Sequence, residues 1–550
     1  MRYVLLLTLL ATLALAAPGA GKSAPKSRQQ ICVGNGPTCF TTLAAALAAA
    51  HDGDTVHLGS GVYAGGVTID ASINLVGAGA GRTIIEGGGP VLTIGVAGEP
   101  DNDRLNVSIS GVTVTGGVAT SRWTPDGTST SGAVGGGVEI PSDFGGSGTI
   151  GATVTIRDSA ITGNRATPST ADDSGDPSCP GGDCPSAQAF GGGVDDVGNL
   201  TLIDTLVSDN VAGGPVASEA EGGGIGTATN GGPGALTLID STVTNNQASV
   251  SAPNGQFAEG GGIEVQDGET FDVQNSTISD NTAGVSNNYP TGVNMNADSG
   301  GIHIGGFGSA TIENSRITDN TVSADDPSGF PGAFDAGLSD GLNDFGAGGQ
   351  TLVLQNTVIS HNHTIANVAS SDNGPSDSAV EIDGQAIVSN TTISDNDTTV
   401  TSHDGSAAAL GAFFAFDGDT GSIVIADSRI TNNTVTASTE TGPATIEGAG
   451  LTNGAALELH NVKISGNSAH ATGADGSFVQ GGGIWNGQPF GPDGNPTPQL
   501  SLESTEVTHN LLTGGPGVAL QGGGLFTVGF PLTLDNSSIS HNAPDDCAGC

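Results

Sequence analysis

Basic residues are scarce in this 550-residue chain, which has 12 Lys plus Arg against 56 Asp plus Glu and a formal net charge of −44. A surface of that sign repels phosphate backbones and anionic lipid headgroups, so nucleic acid is excluded as a partner. Charged residues of both signs make up only 12% of the chain. Its 92 glycines, together with many Ser, Thr and Asn, are instead typical of a β-rich protein with many tight turns.

Long hydrophobic runs are absent after the first seventeen residues. The apolar stretch Val4 to Ala17 follows Met1-Arg2 and contains the small-residue site Ala14-Leu15-Ala16, which predicts a signal peptide over residues 1–16. The stretch is shorter than the ~20 residues that a membrane-spanning helix needs. We therefore expect a flexible segment over 17–30, no transmembrane segment after signal removal, and a secreted, extracellular or cell-surface protein.

Cysteine is also scarce, and the six residues form three local couples: Cys32 with Cys39, Cys179 with Cys184, and Cys547 with Cys550. An even number of cysteines behind a signal peptide predicts a disulfide within each couple. The two-residue spacing of the last couple also occurs in zinc sites, but no second such couple or paired histidine motif completes a site of that kind.

A short motif, consisting of an apolar residue, Ser or Thr, any residue and Asn, recurs eleven times. Its asparagines are Asn164, Asn210, Asn246, Asn281, Asn320, Asn362, Asn396, Asn433, Asn467, Asn510 and Asn542. The residue before each Asn is only Gly, Asp, Asn or His, which are residues that tolerate positive φ. We therefore predict a left-handed turn residue in every copy, and an Asn ladder in which each amide bonds its own turn and its equivalents above and below.

A second motif, Gly-Gly-Gly plus an apolar residue, precedes most of these copies, at 135–138, 191–194, 222–225, 260–263, 481–484 and 522–525. Between the two motifs lies a stretch such as Leu200-Thr-Leu-Ile203, in which aliphatic residues alternate with Thr or Ser. This period of two indicates strands. Three short strands per unit predict an all-β fold, a single right-handed parallel β-helix with three sheets. We place its repeat coils over 117–542 and a C-terminal cysteine-containing tail over 543–550.

The Ala-rich segment Thr41 to Ala50 is the one credible helix. It is expected to cap the open end of the stack, where strand edges would otherwise be exposed. Short apolar strands after it predict irregular first coils, so that the cap and these coils together span 31–116.

The passage from Phe40 to Ile94, with Asp52-Gly-Asp54, Gly61-Val-Tyr63 and Leu75-Val-Gly77, resembles the start of bacterial proteins of the pectin-lyase-like right-handed parallel β-helix superfamily. The glycine and Asn motifs resemble the repeats of the polymorphic outer-membrane protein group. Together the two resemblances cover nearly the whole mature chain and imply the same fold.

If the apolar residue after the glycines points into the coil, the next residue points out. This predicts a row along the rod: Glu139, Asp195, Gly226, Glu264, His303, Glu381, Thr452, Trp485 and Phe526. The segments between each Asn and the next glycine motif should gather beside this row, on the usual binding side of a solenoid. With acids at one end and the stacking faces of Trp485 and Phe526 at the other, the row predicts a groove for an extended glycan.

Three functions are compatible with this pattern. The leading hypothesis is a noncatalytic protein that recognises a glycan or cell-envelope partner. The alternative is a polysaccharide hydrolase, with Asp195 and Glu264 as acid and base about 9.6 Å apart and Gly226 leaving space between them. The third is a purely structural rod.

Calcium is the one ion that the sequence suggests, although no cofactor is required. Asp172, Asp173, Asp176 and Asp183 share one loop. Hard cations favour oxygen-rich flexible loops of this kind.

Overall fold

The computed structural model describes residues 28–34, 36–99, 101–120, 132–141, 150–168, 187–227, 234–251, 257–266, 269–286, 296–305, 309–329, 331–341, 351–371, 376, 378–416, 422–488 and 497–550. The predicted signal peptide lies outside these residues. Within them, none of the helices has the length and the apolar character needed to cross a membrane.

The chain is a right-handed parallel β-helix, and the three predicted sheets run along it. Sheet A consists of Gln30–Val33, Thr55–Leu58, Asn74–Val76, Asn106–Ser110, Thr153–Arg157, Asn199–Ile203, Ala235–Ile239, Thr270–Gln274, Ser309–Glu313, Thr351–Gln355, Gln385–Ser389, Ser422–Ala426, Ala456–His460, Gln499–Glu503 and Leu532–Asp535. Sheet B consists of Gly61–Ala64, Thr83–Glu86, Thr113–Thr115, Ala160–Thr162, Leu206–Ser208, Thr242–Thr244, Thr277–Ser279, Arg316–Thr318, Val358–Ser360, Thr392–Ser394, Arg429–Thr431, Lys463–Ser465, Glu506–Thr508 and Ser538–Ser540. Sheet C consists of Val67–Ile69, Leu92–Ile94, Val138–Ile140, Val194–Asp196, Ile225–Thr227, Ile263–Val265, Ile302–Gly305, Leu338–Gly341, Val380–Asp383, Phe413–Phe416, Leu451–Asn453, Ile484–Asn486, Leu525–Thr527 and Cys547–Ala548.

From Val118 onward the coils gain two further strands between sheets B and C, in the segments that the sequence left as loops. Sheet D follows the Asn motif and consists of Val118–Ala119, Arg165–Ala166, Val211–Gly214, Gln247–Val250, Thr282–Ser286, Thr321–Asp326, His363–Val368, Asp397–Ser402, Thr434–Thr439, Ser468–Thr472 and Leu511–Gly514. Sheet E precedes the glycine motif and consists of Ala133–Val134, Gln188–Phe190, Glu219–Glu221, Phe257–Glu259, Asn296–Asp298 and Gly332–Phe334. Sheet F takes the same place in later coils and consists of Ala407–Leu410, Ala444–Glu447, Phe478–Gln480 and Ala519–Gln521. We call sheets D, E and F together the lobe.

Two hydrophobic cores run side by side along the rod. Inward Val, Ile and Leu side chains of sheets A, B and C stack on their equivalents in the next coil, as in the register of Leu200 with Leu236 and of Leu236 with Phe271. Removal of each such side chain from water contributes roughly 1.5–3 kcal/mol. The lobe has a separate core, made largely of alanines such as Ala220, Ala258 and Ala297. Because alanine is small, the two faces of the lobe lie close together.

The left-handed turn predicted before each Asn is confirmed in all eleven copies. The residues concerned are Gly163, Asp209, Asn245, Asp280, Asp319, His361, Asp395, Asn432, Gly466, His509 and His541, with φ between 55° and 73°. Each turn directs the following Asn side chain into the stack. There, the Nδ2 and the backbone N–H of each Asn donate to Oδ1 of the Asn one coil further on, at 2.9–3.1 Å. Asn542, at the end of the ladder, donates to Asp546.

The glycine motif faces this Asn ladder where the lobe joins the three-sheet coil, a junction that we call the neck. Gly260 has φ +56°, which a left-handed turn requires. A Cβ on Gly261 would overlap the backbone of Thr282, and a Cβ on Gly262 would lie 2.6 Å from the carbonyl oxygen of Gly301 and 2.9 Å from Nδ2 of Asn281. The three glycines are therefore needed for three different reasons, and the neck has no room for a side chain other than the Asn amide.

The ends of the rod are closed by short local structures. The helix spans Leu43–Leu47, within the predicted segment, and Thr42 caps it by accepting from the N–H of Ala45. Its Leu43 and Leu47 side chains are buried against the first coils. A 3₁₀ turn spans Asn102–Arg104. Disulfides join Cys32 to Cys39 and Cys547 to Cys550, whereas Cys179 and Cys184 lie outside the described residues.

Replacing one ladder residue tests how much the neck depends on the Asn amide. In Asn281→Ala, the buried N–H of Asn246 loses its acceptor and the carbonyl of Val243 loses its donor. Because each unsatisfied buried group costs about 1–3 kcal/mol, we expect the free energy of unfolding to fall by about 2–5 kcal/mol. Urea denaturation measures this loss. The control Asp280→Asn, at an exposed turn position where other coils carry Asn, should change stability by less than about 0.5 kcal/mol.

Candidate functional site

The predicted outward row lies in register on sheet C. Consecutive members pair one coil apart, from Glu139 with Asp195 to Trp485 with Phe526. The structure adds two residues that the sequence analysis missed. Ser339 lies between His303 and Glu381, and Phe414 lies between Glu381 and Thr452.

The exposure of this row corrects the sequence-based expectation of an open groove. Glu139 and Asp195 are 4% exposed, Glu264 is 1% exposed and Trp485 is 5% exposed. His303, Glu381 and Phe526 are half-buried. The cause is the glycine motif, whose first glycine lies directly over the row residue four positions later. A Cβ on Gly135, for example, would lie 2.9 Å from Cα of Glu139.

The same packing closes the space that the hydrolase hypothesis needs. Between Asp195 and Glu264, the position above Gly226 is filled by the backbone of Gly191, whose N would lie 2.9 Å from a Cβ at residue 226. A sugar ring therefore cannot enter between the two carboxyl groups. The structure keeps Asp195 and Glu264 in one row but does not leave room between them for a glycosidic bond.

A second row, on the lobe, faces the first. It consists of the residue that ends each strand of sheets E and F: Val134, Phe190, Glu221, Glu259, Asp298 and Phe334, then Leu410, Glu447, Gln480 and Gln521. The two rows are linked by contacts such as the bond that Nε1 of Trp485 donates to Oε1 of Gln480, at 3.3 Å. We call the space between the two rows the groove.

Acidic side chains from both rows meet at the centre of the groove. Nδ1 of His303 lies 2.9 Å from both carboxylate oxygens of Glu264, and its Nε2 lies 3.8 Å from Oδ2 of Asp298. Glu259, Glu264 and His303 each offer a ligand atom within 4.8 Å of the other two. The amide of Gln266 donates to Glu221, the next acid along the row.

Burial and mutual repulsion set the charge of these groups. Burial, followed by the charges of Glu264 and Glu259, raises the pKa of Glu221 well above its ordinary value. Burial likewise raises the pKa of Glu259 to about 8 and raises the pKa of Glu264 despite the opposing effect of His303. Burial disfavours the charge on His303, but Glu264, Asp298 and Glu259 outweigh it and hold the His303 pKa well above its usual range. Each of these groups therefore holds its proton to a higher pH than the same side chain does in water.

Sequence reasoning found Glu264 and His303 but missed Glu221, Glu259 and Asp298. A usable pattern was present in Glu219-Ala-Glu221, Phe257-Ala-Glu259 and Asn296-Ala-Asp298, each next to the glycine position. The central alanine points into the lobe core, so the acid beside it points into the groove.

The N-terminal end of the groove opens into a cleft of about 530 Å³. Glu139 lies in its lining and accepts a hydrogen bond from Oγ1 of Thr93 at 3.2 Å. Thr68, Pro90 and Val96 also line the cleft, which therefore combines hydroxyl, carboxyl and apolar surface.

The remaining predicted site residues do not form one cluster. Trp485 is covered by Gly487, so it does not present the open stacking face that the sequence suggested, while its neighbour Phe526 is half-buried. Glu381 lies two coils from His303 along the same row. The calcium hypothesis stays a prediction because Asp172, Asp173, Asp176 and Asp183 lie outside the described residues.

Comparisons with known proteins show similarity of fold alone. No protein-family model matches the chain, and no curated protein matches it. Among solved structures, pectin methylesterase from carrot is 12% identical, with 67% of this chain and 90% of that chain covered and a TM-score of 0.25. The catalytic domain of a GH87 α-1,3-glucanase is 11% identical, with coverages of 95% and 71% and a TM-score of 0.34. The A-module of the Azotobacter vinelandii mannuronan C-5 epimerase AlgE4 is 12% identical, with coverages of 92% and 93% and a TM-score of 0.27. At identities and scores this low, the comparisons carry no argument about activity.

The half-buried acid Glu447 in the lobe row gives a pH-dependence that can be measured. Burial raises its pKa from an ordinary value of 4.5 to about 8. Between these two pH values the folded state binds more protons than the unfolded state. The contribution of protonated Glu447 to the free energy of unfolding is therefore complete below pH 4.5 and is lost as the pH rises to 8. Between pH 5 and pH 9, we expect the melting temperature of the wild type to fall by a few degrees more than that of Glu447→Gln. Asp475→Asn, at an exposed turn, should melt with the wild-type pH profile, and an unchanged profile in Glu447→Gln would contradict the assignment.

Proposed function

We propose that this is a secreted or cell-surface β-helix protein that recognises an extended, neutral polysaccharide along the groove without cleaving it. The observation that carries the proposal is the pairing of two continuous rows, one on sheet C and one on the lobe. With coils spaced by about 4.8 Å, a linear polymer lying along the rod passes one pair of row residues per coil, and it can contact the half-buried ones, such as Glu381, Gln480 and Phe526.

The chemistry of the two walls suits a sugar polymer. Amide and hydroxyl side chains such as Gln266, Gln480 and Thr93 supply hydrogen-bond donors and acceptors, and the half-buried ring of Phe526 supplies an apolar face. Ligand sites combine a few convergent polar groups with apolar surface in this way. The cleft beside Glu139 has a volume of about 530 Å³ and provides an entry for one end of the polysaccharide.

Charge argues for a neutral polymer. A protein with a formal charge of −44 repels polyuronates and sulfated glycans. The centre of the groove offers an anionic polymer little attraction in return, because its side chains are mostly carboxyl groups.

Recognition is favoured over hydrolysis because the predicted acid and base are enclosed. Asp195 and Glu264 are at most 4% exposed, and backbone fills the position between them. A hydrolase needs two carboxyl groups on either side of a glycosidic bond that reaches them both. A purely structural rod, in turn, has no need for a cleft at one end of the groove.

The test is saturable binding of the purified mature chain to a panel of neutral and acidic polysaccharides, with released oligosaccharides assayed in parallel. Ala97→Trp, which places a large ring at the cleft, should weaken binding of the preferred neutral polysaccharide by at least about tenfold with an unchanged melting temperature. The matched control Ala474→Trp, at an exposed turn of the lobe, should bind as the wild type does.

Other outcomes of the same experiment contradict the proposal. Released product that Asp195→Asn or Glu264→Gln abolishes would establish the hydrolase. Absence of both binding and product would leave the structural rod.

A further inference from the structure

The centre of the groove contains more carboxyl groups than basic groups. Glu219, Glu221, Glu259, Glu264 and Asp298 all interact there, and His303 is the one basic side chain among the described residues of the two rows. These acids are bounded along the lobe row by Phe190 on one side and Phe334 on the other. The acids of the lobe row between Phe190 and Phe334 are therefore confined to three successive coils.

Three of these side chains already have the spacing of a ligand set. The ligand atoms of Glu259, Glu264 and His303 lie within 4.8 Å of one another. Each side chain projects from the end or the middle of a strand whose register with the next coil is fixed, with Glu264 directly opposite His303. Metal ions bind nitrogen and carboxylate ligands at ~2.0–2.2 Å, so three ligand atoms this close to one another can face a common ion.

The contacts inside the cluster provide hydrogen-bond partners for two of its three side chains but not for the third. Glu264 and His303 bond each other at 2.9 Å. Glu259 is turned toward them, but among the described residues its carboxyl group accepts no hydrogen bond, and its basic neighbour His303 already bonds Glu264. Because it is held close to other carboxyl groups in a half-buried position, a cation is the partner that would complete its environment.

The donor set points to a class of ion. One imidazole nitrogen with carboxylate oxygens suits Zn²⁺ and neighbouring divalent transition metals. Calcium prefers six to eight oxygen ligands in a flexible site, and magnesium keeps most of its water. We propose that Glu259, Glu264 and His303 bind one divalent transition-metal ion, with Asp298 beside them.

Such an ion would join the lobe to the three-sheet coil. Glu259 belongs to sheet E, whereas Glu264 and His303 belong to sheet C in two successive coils. The bound ion would therefore fasten the two walls of the groove to each other across the glycine corner. This inference does not depend on glycan binding, because it requires only the three ligands and their positions.

The experiment is calorimetric titration of the untagged, chelator-treated chain with Zn²⁺, together with its melting temperature with and without the ion. We expect one saturable site per chain, a rise in melting temperature, and at least tenfold weaker binding in Glu259→Gln, whose carboxyl group makes no hydrogen bond that its removal would break. The control Glu313→Gln, on sheet A on another side of the rod, should bind Zn²⁺ as the wild type does.

Three results would overturn the proposal. They are no saturable Zn²⁺ site, Zn²⁺ binding that is undiminished in both Glu259→Gln and His303→Gln, or tighter binding of Ca²⁺ than of Zn²⁺. Because both variants are compared with the wild type in the same assay, zinc held by exposed histidines elsewhere cancels from the difference. If His303→Gln fails to fold, Glu259→Gln decides the outcome by itself.

Discussion

The contact between an asparagine amide and a glycine backbone at the neck is the constraint on which the rest of the structure depends. Asn281 makes hydrogen bonds to two neighbouring coils, and Gly262 packs against it at a position where a Cβ would lie 2.9 Å from its Nδ2. A polar group buried at this depth is stable only when its bonds are made. The neck therefore fixes the position of each coil relative to the next, and this does not depend on contacts within the lobe.

The groove is a consequence of that junction. Because the first glycine of each motif adopts a left-handed conformation, the chain leaves sheet E and turns sharply into sheet C. The end of one strand is thereby brought over the start of the next. Side chains that a flat surface would expose, such as Glu264, are enclosed, and burial then raises the pKa of the acids among them. The unusual charge state of the site thus arises from the backbone path and not from a special choice of residues.

The sequence was informative where the structure repeats and uninformative where sheets meet at an angle. The alternation of aliphatic and small polar residues predicts sheets A, B and C, and the restricted set of residues before each Asn predicts the left-handed turns. The lobe was not predicted because its strands are short, rich in Ala and Ser, and separated by segments of variable length. The same holds for the candidate site. The register of Glu264 with His303 could be predicted from the glycine spacing. The approach of Glu259 could not, because it depends on the angle at which the chain turns from sheet E into sheet C.

The separation of neck and lobe has a consequence for how such a chain can change over time. Everything between one ladder asparagine and the next, such as residues 247–281, is a closed unit that begins and ends on equivalent hydrogen bonds. Loss or duplication of a whole unit preserves the hydrogen-bond pattern of the coils on both sides. Loss of a few residues within a strand instead shifts the register of that strand with its neighbours. Length variation among relatives would therefore come in complete turns, and each added or deleted turn would lengthen or shorten the rod by about 4.8 Å.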